Sequence, residues 1–188
     1  MANISFKLDS RTLIFMLNPC HAAIFFLVFL TMTDYSCVGE IVALAFYGFS
    51  FGGWIGLLFS ENEGLPWIEV LVYYVHHAIV SGLGPILLSA GGRYDIRRFF
   101  SLRLIWAGAI LFTLYERWVL MPISLLSWAN LNHSLCGVHN DPFYEIFQLG
   151  KWYWLWADLY LAIACFLGFF INTLLVVVFA RLSRLVGI

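Results

Sequence analysis

The stretch Trp156-Ala-Asp-Leu-Tyr-Leu-Ala-Ile-Ala-Cys-Phe-Leu-Gly-Phe-Phe-Ile-Asn-Thr-Leu-Leu-Val-Val-Val-Phe-Ala180 decides the fold class. It runs 25 residues with one formal charge, Asp158, and about 20 apolar residues are enough to cross a bilayer as a helix. Four more stretches reach that length, Thr12 to Thr31, Val38 to Phe59, Pro66 to Ala90 and Phe99 to Val119. The apolar runs are continuous rather than alternating, which favours helices over a transmembrane barrel. The sequence therefore predicts an all-α, polytopic transmembrane helical bundle of about five spans (12–31, 38–59, 66–90, 99–119 and 156–180), forming a single integral membrane domain over 1–188.

Composition agrees. Of the residues, 62% are hydrophobic and 11% charged, and the mean hydropathy is +0.88, against about a quarter charged in a soluble domain. The net charge of −1 provides no basic field for a phosphate backbone, so nucleic acid is not an expected partner. Four cysteines, widely and irregularly spaced, form neither a disulfide ladder nor a CxxC metal pattern. Gly82, Gly84 and Pro85 predict a bend or break late in the third span.

Short polar connections at Asp34 to Glu40, Ser60 to Gly64 and Gly91 to Arg98 leave no room for a soluble domain. The stretch 124–150, with Asn130, Asn132, His133, Cys136, His139, Asn140, Asp141 and Pro142, is too polar to span and reads as a long functional loop. Trp152, Trp154 and Trp156 mark a membrane interface. Arg93, Arg97, Arg98, Arg181 and Arg184 gather on one side, against Lys7, Arg11 and Lys151 on the other, which predicts a cytoplasmic C-terminus. The sequons at Asn3 and Asn132 then fall on the opposite side. The first apolar run is too long for a signal peptide and lacks a small-residue cleavage site, so it is read as a helix.

Ionisable groups inside spans are costly and by default mark function. Here they are Cys20 with His21, Glu69, His76 with His77, Arg103, Glu116 with Arg117, and Asp158. At 1.5 Å per residue, Cys20 lies about 12 Å from Thr12 and His77 about 15 Å from Trp67, so the two meet near mid-membrane. A buried thiol is inert unless an imidazole accepts its proton, and a cysteine beside a histidine at one depth is the raw material of a nucleophile with its base. His77 is the better placed base on this count. His76, about 100° round the helix, and His21, next to the cysteine, are expected to project elsewhere, although spacing by itself leaves the choice of histidine open. Pro19 is expected to kink the helix beside the thiol, freeing the Phe15 carbonyl. A buried cysteine is also commonly a small hydrophobe, and the charged groups are read most simply as interhelical pairs or interfacial groups. A metal site is not expected, because i to i+4 ligand spacing is missing.

Taken together, Leu17-Asn18-Pro19-Cys20-His21, Tyr73-Tyr74-Val75-His76-His77, Gly91-Gly92-Arg93-Tyr94, Asn130-Leu131-Asn132 with Leu135-Cys136, and Asp141-Pro142-Phe143-Tyr144 resemble the transmembrane protein 164 family, in order from about Phe6 to Leu182. The resemblance implies a membrane acyltransferase that moves fatty acyl chains, notably polyunsaturated ones, from a phospholipid to a lysophospholipid, including ether-linked lyso-phosphatidylethanolamine. The expected location is the endoplasmic reticulum, and no cofactor is expected. It implies Cys20 as nucleophile and His77 as base. Asn18, His21, His76, Asn130, Asn132 and Asp141 are the expected binding or supporting residues. A more distant similarity to the androgen-induced family of lipid hydrolases implies the same intramembrane layout. His76 stands where the family more often has glutamine, and this chain begins just before the cysteine helix, where members known to us carry a further hydrophobic segment. The alternatives are an intramembrane lipid hydrolase and a non-enzymatic lipid-binding or transport protein.

Overall fold

In the computed structural model, residues 13–58, 66–133, 135 and 152–186 are described. They are helical almost throughout and include no strand. A 3-10 turn at Leu13–Leu17 precedes α1 (Pro19–Met32), which is followed by α2 (Cys37–Leu58), α3 (Trp67–Ala90), the short α4 (Ile96–Phe99), α5 (Leu102–Ser127) and α6 (Tyr153–Val186). Helices α2, α3, α5 and α6 contain four segments long and apolar enough to cross a membrane.

The first expected span differs. Asn18 has extended backbone (φ −56°, ψ 143°) and its N–H closes the 3-10 turn on the Phe15 carbonyl at 3.1 Å. Pro19, which needs no N–H partner at a helix start, then begins a helix of only 14 residues. So Pro19 does not kink a continuous helix; it starts one, and the Phe15 carbonyl is used rather than freed. Cys20 thereby sits in the first turn of α1.

The bend expected in α3 takes a definite form, a π-helical turn at Ile79–Leu83 that resets the hydrogen-bond ladder just before Pro85. A second π turn, Glu116–Leu120, does the same before Pro122 in α5. Because of it α5 continues to Ser127, beyond the expected end at Val119 and into the stretch read as polar loop; Trp128, in the left-handed region at φ 58°, ends it. One π turn begins just after His76 and His77 and the other just after Tyr115, and such turns are frequent at functional sites.

Helix α2 is the hub and packs on α1, α3, α5 and α6. It can approach α5 backbone to backbone because Gly48 faces Gly108: a Cβ at Gly48 would lie 2.9 Å from the Gly108 carbonyl oxygen, the small-residue contact that membrane helices favour. Phe46, Tyr47, Phe49, Phe112 and Phe169 fill the centre, while Met32, Trp67, Trp118, Leu126 and Leu185 stay exposed, as residues facing lipid do. Trp54 donates to Asn172 at 3.0 Å, and Asn172 donates to Ser50 at 2.9 Å, tying α2 to α6. Arg117 and Asp158 pair at 2.8 Å between α5 and α6, the interhelical role expected of them.

Candidate active site

Three helices reach one depth. Arg93 pairs with Asp34 and Tyr94 donates to the Asp34 carbonyl, so the end of α1 lies on the side of the arginine-rich 91–101 connection. Measured from that side, Cys20 is thirteen residues from Thr33, His77 thirteen from Ala90 and Tyr115 thirteen from Leu102. Each run is about 20 Å, two-thirds of a roughly 30 Å hydrocarbon core.

Around Cys20 the structure assembles a cluster. The Cys20 sulfur and ring nitrogens of His21 and His76 all lie within 4.8 Å of one another, with each side chain half-buried. The His21 and His76 rings meet edge to face at 4.6 Å. His76 Nε2–H donates to the Cys20 carbonyl at 3.0 Å, which leaves the lone pair on Nδ1. The expectation that His21 and His76 project away is corrected. The angular argument treats α1 as a helix running through Cys20, whereas the thiol stands on its first turn, and the His76 ring is drawn to a main-chain acceptor there.

His77 is placed differently. It is 7% exposed; its Nδ1–H donates to the Tyr73 carbonyl at 2.8 Å, so Nε2 holds the lone pair. The ring fits against α2 only because residue 56 is glycine: a Cβ there would lie 2.4 Å from His77 Cδ2 and 2.6 Å from Nε2. Tyr73 donates to the Gly56 carbonyl at 2.9 Å and stacks on His77 at 4.1 Å. The His77 and His76 ring centroids are 5.4 Å apart, and the three-residue cluster is formed by Cys20, His21 and His76.

The other expected residues separate into two groups. The Asn18 Oδ1 atom is buried two residues before the thiol and has no hydrogen-bond partner among the described residues. Asn130 Oδ1 accepts from the Leu135 N–H at 3.0 Å, a loop-ordering role, and the Asn132 amide donates to Glu116, joining the loop to α5. Asp141 lies outside the described residues.

Two residues were not singled out as partners of the thiol. The Tyr115 hydroxyl donates to the Leu17 carbonyl at 2.6 Å and is near enough to Cys20 to interact electrostatically. Glu116, 4% exposed, anchors Asn132 beside it. A polar Tyr-Glu-Arg triplet inside an apolar helix was the available signal. An open apolar groove of about 490 Å³ is lined by Phe49, Leu111, Leu114, Tyr115 and Trp118.

Apolar helices of spanning length and a thiol–imidazole cluster set deep among them define a multi-pass membrane protein with an intramembrane Cys–His centre. A family model, the TMEM164 family, matches residues 10–172, and the chain belongs to that family. No solved structure matches it significantly.

Proposed function

We propose that this chain is a phospholipid acyltransferase working within the membrane as one integral domain, with Cys20 as its nucleophile. The observation that carries the reading is the Cys20 thiol on the first turn of α1 with two imidazoles inside 4.8 Å, at bilayer depth. A helix start favours negative charge through its free N–H groups and aligned peptide dipoles, which suits a thiolate.

His76 takes the thiol proton on Nδ1. The thiolate attacks the ester carbonyl of a glycerophospholipid, and the tetrahedral intermediate collapses to a Cys20 thioester as the lysolipid alkoxide recovers the proton from the imidazolium. The acceptor lysolipid hydroxyl then gives its proton to the same imidazole and attacks the thioester, and the departing Cys20 sulfur is reprotonated. The acyl chain lies in the apolar groove that Tyr115 helps to line. Asn18, two residues before the thiol and half-buried, supplies its amide N–H groups to the developing oxyanion. Polyunsaturated chains and ether-linked lyso-phosphatidylethanolamine are the substrates that the family resemblance favours. Residence in the endoplasmic reticulum, with a cytoplasmic C-terminus on the arginine-rich side, completes the reading.

A second reading gives the base role to His77. It is favoured by the family motif, and by the Tyr73 carbonyl that fixes its tautomer with Nε2 as acceptor. Transfer of labelled acyl chain from phosphatidylcholine to lysophospholipids by purified protein tests both. Cys20→Ala abolishes turnover in either case. His76→Gln abolishes it under the first reading and spares it under the second, and His77→Gln separates them in the opposite sense. Turnover that survives Cys20→Ala would overturn the proposal, and acyl chain released as free fatty acid would make the chain a hydrolase.

A further inference from the structure

We propose that Cys20, His21 and His76 also form a binding site for a thiophilic divalent ion of the zinc type, and that an ion held there silences Cys20. Three donors, one sulfur and two imidazole nitrogens, converge from α1 and α3 to within 4.8 Å of one another. Tetrahedral zinc with Zn–S of about 2.3 Å and Zn–N of about 2.0–2.1 Å sets its donors roughly 3.3–3.6 Å apart, so side-chain rotation of about an ångström closes the set. Thiolate with imidazole is the donor combination that zinc and cobalt(II) take, in preference to magnesium or calcium.

The surroundings suit an ion as well. His76 already donates Nε2–H to the Cys20 carbonyl at 3.0 Å, and a ring N–H held by a backbone carbonyl is the usual orienting partner of a metal-bound imidazole. Three protein ligands leave a fourth position open. Binding replaces the Cys20 thiol proton with the ion and occupies the sulfur lone pair that would attack an ester. The imidazole of His76 is engaged at the same time, so nucleophile and base are both withdrawn. His77 takes no part: the converging donors come from Cys20, His21 and His76, and the Nε2 edge of the His77 ring packs against Gly56.

The ion-binding claim stands apart from the acyl-transfer reading; only the silencing rests on it. The test is titration of the purified full chain in detergent with cobalt(II), following the near-ultraviolet thiolate-to-cobalt charge-transfer absorption, with zinc added afterwards as competitor. The wild type gains the band at about one ion per chain and zinc removes it. Cys20→Ser loses the band, His21→Gln and His76→Gln each weaken binding by at least about tenfold, and His77→Gln keeps it. Circular dichroism and gel-filtration profiles establish that each variant is folded. A folded wild type without the band, a band that survives Cys20→Ser, or cobalt affinity undiminished in His76→Gln overturns the site. Where the band behaves as stated, zinc is added to the transfer assay: inhibition reversed by a chelator supports silencing, and activity untouched at saturating zinc refutes it. Binding without any acyl transfer leaves the site standing and sinks the acyltransferase reading.

Discussion

Replacing Gly56 with alanine adds one methyl group to α2 at the point where His77 packs. The added Cβ would lie 2.4 Å from His77 Cδ2, 2.6 Å from Nε2 and 3.0 Å from the Tyr73 hydroxyl oxygen, closer than side-chain atoms approach. His77 cannot simply turn away without losing the hydrogen bond from its Nδ1–H to the Tyr73 carbonyl. Helix α3 must therefore move, at a cost of about 1–3 kcal/mol for overpacking. For a chain of this size that is a melting temperature lower by about 2–4 °C per kcal/mol. A shift of the histidine pair by about an ångström relative to Cys20 costs on the order of 100-fold in turnover. Gly52, one turn earlier on the same helix, is the matched control, since a Cβ there meets nothing within 4 Å. Gly52→Ala gains helix propensity, about 0.5–1 kcal/mol, and keeps its activity. Thermal unfolding in detergent and labelled acyl transfer, run on both variants, read the two effects. If Gly56→Ala matched Gly52→Ala in melting temperature and turnover, the packing of His77 against α2 would be refuted.

Breaking the Arg117–Asp158 pair by Asp158→Leu strands a partly buried guanidinium and lowers stability by about 2 kcal/mol, while adding Arg117→Met recovers most of it; a double-mutant cycle by thermal unfolding that showed no coupling would count against the pair. Tyr115→Phe removes the hydrogen bond to the Leu17 carbonyl, costing about 1 kcal/mol, and speeds hydrogen exchange of residues 13–22; unchanged exchange there would mean that Tyr115 does not hold the turn before Cys20. The Asp95 carboxyl, outside the spans, has burial pushing it up, but hydrogen bonds and charge from Arg97 outweigh this and hold it below its usual value. A lowered carboxyl stabilises the folded state above the unfolded value of about 3.9 and loses that contribution as pH falls through the folded value. The melting-temperature gap between wild type and Asp95→Asn is therefore full at neutral pH and closes below about pH 4; a gap independent of pH would refute the assignment.

The sequence alone determined that the chain is a helical membrane protein, because hydropathy and run length act locally and lipid leaves the backbone no other way to satisfy its hydrogen bonds. It placed Cys20 and His77 at one depth, but by counting Cys20 along a helix from Thr12 that is broken at Asn18; the structure gives the depth from the other end, thirteen residues from Thr33. The bend in α3 was legible, as glycines and Pro85 disturb the ladder wherever the helix lies, although the π turn that absorbs Pro85 was not. What only the tertiary structure decided is the azimuth and the partners. Pro19 begins a helix because Asn18 closes the preceding turn, and that places the thiol on a helix end rather than along a face. His76 turns to the thiol and His77 to α2 because one finds the Cys20 carbonyl and the other the space left by Gly56. Tyr115 joins from a helix nearly a hundred residues on in sequence. Each of these rests on contacts between segments distant along the chain, where rotamers and helix rotation answer to neighbours that no local pattern contains.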